Sequence, residues 1–471
     1  MATEAAQETR SAPDLRSALT LAATSLGFVV VQLDVTIVNV ALQRIGAALG
    51  GGVTGLQWVV NAYTVVFASL ILTAGTVGDR VGAKRVFIGG FVVFSVASLA
   101  CGLAPNLVTL VGARAVQGIG AAVLVPCSLA LLNHSYQDDA ARSKAVGIWA
   151  GGAGVAVALG PVLGGVLVDT IGWRSIFFIN PPIGAIGIWL CARYARESGR
   201  TETLGYDIPG QLVAITTVAL FAYAAMEGGK TGWARPSIIA GFLTSAIGAA
   251  TFVFIEARRS RPMLPLSFFR NSTFSATTAV GMLINSAFYG MIFVLSLFFQ
   301  QQKKLSPLDT GLAFLPMTAV VIAANIIAGR IAAALGARLP MILGQAIFAV
   351  GCLSLVGIGL NTPYSHIGWQ LLAVGAGIGL VVPPMTSALL GTVERRNSGV
   401  ASGVLNSSRQ LGSVIGVAFL GSLIANPAAF VRGFHDVLII SAVLVLLGGL
   451  VVFMFVNGRT AEQRRPHPSR T

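Results

Sequence analysis

Gly75-Thr76-Val77-Gly78-Asp79-Arg80-Val81-Gly82-Ala83-Lys84-Arg85 lies between two long apolar stretches, 56–77 and 86–103. A connection this short, basic and glycine-punctuated leaves no room for a domain. It suits a cytoplasmic turn that holds two membrane helices close and re-forms its contacts when they move. The residues that fit this reading are Gly75, Asp79, Arg80, Gly82, Lys84 and Arg85.

The composition outside the turn agrees. Of 471 residues, 55% are hydrophobic and only 10% charged, and 56 are glycine. A soluble domain carries about 25% charged residues. The deficit means that most of the chain faces lipid or packs helix on helix within it, where glycine allows close backbone approach. At about 20 residues per span, fourteen stretches qualify: 19–42, 56–77, 86–103, 107–132, 145–168, 175–192, 208–226, 237–255, 272–299, 311–329, 339–360, 367–390, 399–425 and 437–457. The first is too long for a signal peptide, carries Asp34 and lacks a small-residue cleavage site. It reads as a retained first helix.

Charge sets the orientation. Of the 31 Lys and Arg residues, 22 fall on the side of the two tails and the even-to-odd connections. Seven fall on the other: Arg44, Arg174, Lys230, Arg235, Lys303, Lys304 and Arg432. Arg114 and Arg409 lie inside spans. Basic residues stay cytoplasmic, so both termini are expected inside the cell, in its plasma membrane. The net charge of +14 is then an orientation signal rather than a nucleic-acid footprint.

The four cysteines, Cys101, Cys127, Cys191 and Cys352, sit singly in apolar stretches with no C-x-x-C spacing. They read as small packing groups, not as a disulfide framework or metal ligands. Gly228-Gly229-Lys230-Thr231 has a phosphate-loop look, but Ala224 stands where a further glycine is required. No cofactor is expected, ATP is not the expected energy source, and no polar cluster suggests an enzyme.

The chain repeats itself. Shifting 74–90 by 254 residues places Gly75 on Gly329, Gly82 on Gly336, Lys84 on Arg338 and Gly90 on Gly344, while Asp79 falls on Ala333. The second copy keeps the turn and loses the acid. Duplicated six-helix bundles suit a rocking-bundle transporter, and the offset leaves two surplus spans in the middle. The expected organisation is an all-α polytopic membrane protein. A tail over 1–18 leads to a bundle over 19–200, a central helix pair over 201–262, a second bundle over 263–457 and a tail over 458–471.

The 75–85 run resembles the signature G-x-x-x-D-R-x-G-x-K/R-R/K of the major facilitator superfamily, with all positions filled. Further stretches resemble its fourteen-span drug:proton antiporter branch. Leu33-Asp34-Val35-Thr36-Ile37-Val38-Asn39-Val40-Ala41-Leu42 matches a helix-1 motif, except that Gln43 replaces a proline. Arg114-Ala115-Val116-Gln117-Gly118-Ile119-Gly120 resembles a helix-4 motif. Gly160, Pro161, Gly164 and Gly165 resemble the end of the antiporter motif on helix 5, with Ala156 where glycine is commoner. The run from Trp173 through Asn180, Pro181 and Pro182 to Gly184 is similar to that branch as well. The resemblance implies a major facilitator fold and a functional monomer. It implies a multidrug antiporter that exports lipophilic molecules, antibiotics and dyes, against protons. It also implies that helix 5 meets its counterpart in the other bundle, a pliant seam favouring export over uptake. Uptake of a small metabolite by the same fold is the alternative.

Asp34 is the most telling single residue. An acid inside a span costs several kcal/mol unless paired or hydrated, so such residues line cavities or relay protons. Asp34 and Arg114 each fall roughly 10–12 Å below the external surface at 1.5 Å per residue. In the fold that the resemblance implies, their helices line one cavity. Proton coupling by this pair and a static ion pair both fit. Gln117, one turn from Arg114, could hold its guanidinium or bond a neighbouring helix. Arg409 could contact substrate, snorkel or bond carbonyls. Glu227 beside Lys230 reads as an interfacial ion pair. Asn61, Tyr63, Asn285, Tyr289 and Asn325 complete the candidate cavity, whose apolar walls suit lipophilic, and among them cationic, compounds.

Overall fold

The computed structural model describes residues 15–136, 138–197, 207–259, 262–359, 361–394 and 397–456. Most of the expected N-terminal tail, all of the C-terminal tail and the 200/201 boundary lie outside the described residues. Fourteen long helices follow in order. They are α1 Leu15–Leu49, α2 Gly52–Val81, α3 Ala83–Gly102, α4 Leu107–Ser135, α5 Asp139–Thr170, α6 Asn180–Tyr194, α7 Ile208–Thr231, α8 Pro236–Arg258, α9 Ser272–Leu297, α10 Pro307–Leu335, α11 Arg338–Leu355, α12 Tyr364–Leu390, α13 Ser398–Ser422 and α14 Phe430–Phe455.

Local sequence explains where these helices begin. Asn106, Asp138, Asp207, Asn271 and Ser306 each turn a side-chain oxygen onto a backbone N–H of the first turn, filling donors that a helix start leaves open. The expected span 175–192 is found as Ser175–Tyr194, with a break in its helix at Ile179. A turn over Ser175–Phe178 precedes α6, which starts at Asn180 ahead of Pro181 and Pro182. Proline lacks the N–H that would continue the preceding turn.

Thirteen described helices are long and apolar enough to cross a membrane, counting Ser175–Tyr194 as one. The fourteenth expected span, 399–425, is the exception. Its helix α13 has the length, but Ser402, Asn406, Ser407, Ser408, Arg409 and Gln410 dilute its hydropathy. Those groups face protein: the Ser407 and Ser408 hydroxyls donate to the Ala68 and Thr278 carbonyls, both at 2.9 Å. A helix shielded from lipid by α9, α2 and α7 need not be apolar all round. Elsewhere the helices outrun the expected stretches. α1 ends at Leu49, not 42, and α10 reaches from Pro307 to Leu335.

Packing follows the repeat. The contacts of α1 with α5, α2 with α4, α3 with α4 and α1 with α6 recur between α9 and α13, α10 and α12, α11 and α12, and α9 and α14. Gly82 and Gly336 hold the two equivalent turns at φ 109° and 84°, a region where a side chain would be strained. The two halves meet along two seams, α5 on α10 and α13 on α2. This corrects one expectation. The repeat counterpart of α5 is α13, yet α5 packs on α10; the counterpart seam belongs to α13 and α2. Helices α7 and α8 pair with each other, and α7 covers the α2–α13 seam. Helix α8 stands outermost, with little of it buried.

Candidate functional site

Asp34 and Arg114 are wholly buried where α1 crosses α4. Arg114 Nη1 donates to Asp34 Oδ2, closing an ion pair. The other carboxylate oxygen, Oδ1, accepts from Gln117 Nε2 at 2.9 Å and from Asn180 Nδ2 at 3.2 Å. The guanidinium has more than one support. Its Nε donates to the Val59 carbonyl at 3.0 Å, Nη1 reaches Gln117 Oε1 at 2.8 Å, and its plane lies 4.4 Å from the Tyr63 ring centre. Asn180 is fixed in turn by Ser98 Oγ at 2.9 Å, and Ser98 by the Phe177 carbonyl at 2.8 Å. Helices α4 and α6 therefore bond the carboxylate of α1 directly, with α2 and α3 supporting their side chains. If Asp34 takes up a proton, Arg114 keeps a carbonyl, an amide oxygen and an aromatic face. The charge can change without leaving the cation bare.

The remaining candidates separate into two groups. Gln117 and Tyr63 belong to the Asp34 cluster, and Tyr63 is fully buried. Asn61 turns toward the central pair, its Nδ2 3.5 Å from Met226 Sδ. None of the three faces an open space between the halves. Asn285 gives its Nδ2 to the Gly281 carbonyl at 2.8 Å. Tyr289, Asn325 and Arg409 are only partly buried in the second half. The Asn325 Oδ1 and Arg409 Nε are shut off from solvent with no hydrogen-bond partner. Tyr289 lies within electrostatic reach of both Tyr63 and Arg409, linking the two groups across the midline. At the end of α7, Lys230 lies 4.0 Å from Glu227.

The seam of α5 and α10 is closed over one half and splayed over the other. From Ala158 to Asp169 it is tight. The Ala158 carbonyl accepts from Thr318 Oγ1 at 3.2 Å, and a Cβ on Gly165 would fall 2.6 Å from Leu308 Cα. Gly160 and Gly164 admit Thr36, Ile37 and Val40 of α1 just as closely. Toward the turn of residues 75–85 a Cβ on Gly147, Gly151 or Gly154 would meet nothing within 4 Å, and Gly329 on α10 is equally open. Pro161 stands inside the tight half of α5, where its missing N–H weakens the helix. The far half is bolted elsewhere too. Gln57 Nε2 donates to the Val417 and Ala418 carbonyls at 2.7 and 2.8 Å, and Ser296 Oγ to the Asn39 carbonyl at 2.6 Å. The α5–α10 seam is shut on the far side and parted on the turn side, while the α2–α13 seam keeps the Ser407–Ala68 bond in its turn-side half.

The turn itself is held by a residue that motif reading misses. Glu197, just beyond α6, accepts from the Lys84 backbone N–H at 2.9 Å and lies 3.7 Å from Arg85. Lys84 Nζ caps the Ala192 and Ala195 carbonyls, both at 2.8 Å. A Cβ on Gly82 would fall 2.6 Å from the Glu197 carboxyl carbon. Gly75 and Gly78 lie against Pro126 and Cys127 of α4. Asp79 is exposed and makes no hydrogen bond or ion pair with any described residue. On the far side Asp169 was equally invisible to motif reading. It lies 3.9 Å from Arg44 of α1 and accepts from the Leu308 N–H of α10 at 2.8 Å. Asn180 lies in the Trp173–Gly184 run, and the one sequence signal for its role is a polar side chain in an apolar stretch.

Residues 24–417 match the Major Facilitator Superfamily. The chain is 36% identical over 445 residues to the methylenomycin A resistance protein of Streptomyces coelicolor, covering 94% of this chain and 93% of that one. It is 37% identical over 407 residues to the multidrug resistance protein Stp of Mycobacterium tuberculosis, covering 86% and 76%. Its fold is similar to that of a solved bacterial homologue of the human lysosomal transporter Spinster, described as inward-facing and unoccupied. The TM-score is 0.66 at 14% identity, over 97% of this chain and 100% of that one.

Proposed function

The chain belongs to the Major Facilitator Superfamily, and from that premise we propose that it exports lipophilic small molecules, antibiotics among them, in exchange for protons. The names of its relatives favour drug export over metabolite uptake. The observation that carries the proton half is the Asp34 cluster: a carboxylate withdrawn from bulk solvent, on a cation that has other places to bond. Arg409 and Asp34 are charged groups near mid-span; Asp34 is a carboxylate, which has a neutral acid form, whereas a guanidinium stays charged.

The cycle follows from the two halves. With the basic turn on the cytoplasmic side, the present arrangement is open to the cytoplasm, and substrate enters between α5 and α10. Closing the splayed half of that seam brings Gly147, Gly151 and Gly154 against α10 and opens the far half. Protonation of Asp34 cancels one of the charges binding α1 to α4, so the protonated and ionised forms favour different arrangements of the first half. The two six-helix units and the central pair, with boundaries near 200 and 262, move as the rigid parts.

Export is tested by drug susceptibility in a host stripped of its own pumps. Expression of the wild-type chain is expected to raise resistance to several antibiotics or dyes. Asp34→Asn, expressed to the same level, is expected to return the host to its sensitive state. A wild-type chain that raises resistance to no compound in a broad panel would remove the export reading.

A further inference from the structure

We propose that Arg409 is the anion-recognising residue of the transport cavity, and that it selects lipophilic organic acids, bound as their carboxylates. This rests on the export reading and names its substrate class.

Arg409 stands eleven residues after the start of α13 and thirteen before its end. At 1.5 Å per residue that is about 16–20 Å from either end, beyond the reach of a snorkelling side chain. Among the described residues no counter-ion meets it. Helices α9, α12 and α13 contain no acidic residue, and the acid of α2 is Asp79, near its turn end. Asp34 is taken by Arg114. Arg409 makes no hydrogen bond or ion pair with any described residue, and its Nε is buried without a partner. A bare guanidinium at mid-span is costly, so a ligand that brings an anion gains what the protein withholds.

The surroundings are shaped for such a ligand. Gly281 of α9 makes room for the arginine stem: a Cβ there would lie 3.2 Å from Arg409 Cγ and 3.1 Å from Leu405 Cδ1. Asn285 and Tyr289 follow at i+4 and i+8 on the same α9 face. Tyr289 is within electrostatic reach of Arg409, and its hydroxyl bonds no described residue. A carboxylate on Arg409 would lie beside this face of α9, while Leu405 and Met385, both buried, pack next to Gly281 and the arginine stem. The apolar walls alone suited cations; the unpaired arginine reverses that preference.

Purified wild-type protein, titrated with 2-naphthoate, 2-naphthamide and ethidium, tests the assignment. Naphthoate is expected to bind about tenfold or more tightly than the neutral amide, the scale of a charge-assisted bond. Arg409→Gln is expected to erase that preference, and Arg409→Lys to retain part of it, with melting temperatures confirming that each variant folds. If Arg409→Gln does not fold, the wild-type preference and the Lys variant decide. Equal binding of naphthoate and naphthamide by the wild type, or a preference that survives in Arg409→Gln, overturns the assignment. Binding of ethidium or the amide without naphthoate does so too, and leaves export standing. Binding of none of the three overturns the assignment, and a sensitive host in the susceptibility assay then removes export with it.

Discussion

Asp34 and Arg114 lie eighty residues apart in the chain and form an ion pair with both side chains withdrawn from solvent. Taking two charges out of water costs several kcal/mol for each ion, and replacing such a pair by apolar residues is often stabilising. Stability is therefore a weak reason to keep the pair. A charge that can be switched is a better one.

Removing one partner is expected to cost more than softening it. Arg114→Ala leaves the Asp34 carboxylate buried with two amide donors and no cation, a loss of about 3–5 kcal/mol for a broken buried pair. Thermal unfolding of purified protein is expected to show a large drop in melting temperature, and Asn180→Ala a smaller one. Asn180 supplies a single hydrogen bond to a charged group, worth about 1.5–3 kcal/mol.

Asp79 gives the converse case. It has no bonded partner in the arrangement open to the turn side, so Asp79→Asn is expected to leave this state and its melting temperature nearly unchanged. Its contribution belongs to the opposite state, as a charge pair or against a helix N-terminus. Turnover in reconstituted vesicles is expected to fall several-fold with substrate binding intact. Unchanged turnover would make the acid part of a solvated loop.

The far-side latch predicts an effect of the other sign. Asp169 of α5 accepts from the Leu308 N–H in the first turn of α10, acting as a helix cap supplied from the other half. Asp169→Ala is expected to weaken far-side closure by about 1 kcal/mol, the value of a cap. Cysteines placed on the far halves of α5 and α10 are then expected to label about five times faster from that side. Gly165→Leu is expected to act in the same direction and wedge the seam apart, since even a Cβ there meets the Leu308 backbone.

Much of this was legible in the chain. The basic turn, the repeat at offset 254 and the apolar run lengths are local properties, and they lead directly to fourteen helices, twelve in two related sets and two between them. Asp34 and Arg114 stood out because charges are rare in spans. What could not be read was pairing at a distance. Glu197 and Asp169 look like ordinary loop and helix-end acids until α6 reaches the turn and α10 reaches α5. Asn61 and Tyr63 are polar residues on one helix, and only its rotation shows that one faces Met226 and the other Arg114. Which helices form the seams is a matter of three-dimensional symmetry, which the repeat permits in more than one way.

Orientation has its own test. A cysteine placed near Lys303 or Lys304 is expected to react with an impermeant reagent from outside intact cells, and one beside Arg338 only after the cells are opened. Labelling of the Arg338 position in intact cells would reverse the orientation and, with it, the direction of transport.

The central claim is that Asp34 couples substrate movement to protons. The direct measurement is substrate accumulation in reconstituted vesicles with an imposed pH difference as the only energy source, comparing wild type with Asp34→Asn. The substrate is one identified by the susceptibility screen. The account predicts that wild type concentrates it against a gradient and that Asp34→Asn does not, while still exchanging substrate down its gradient. Asp34→Asn vesicles that concentrate substrate as wild type does would contradict it.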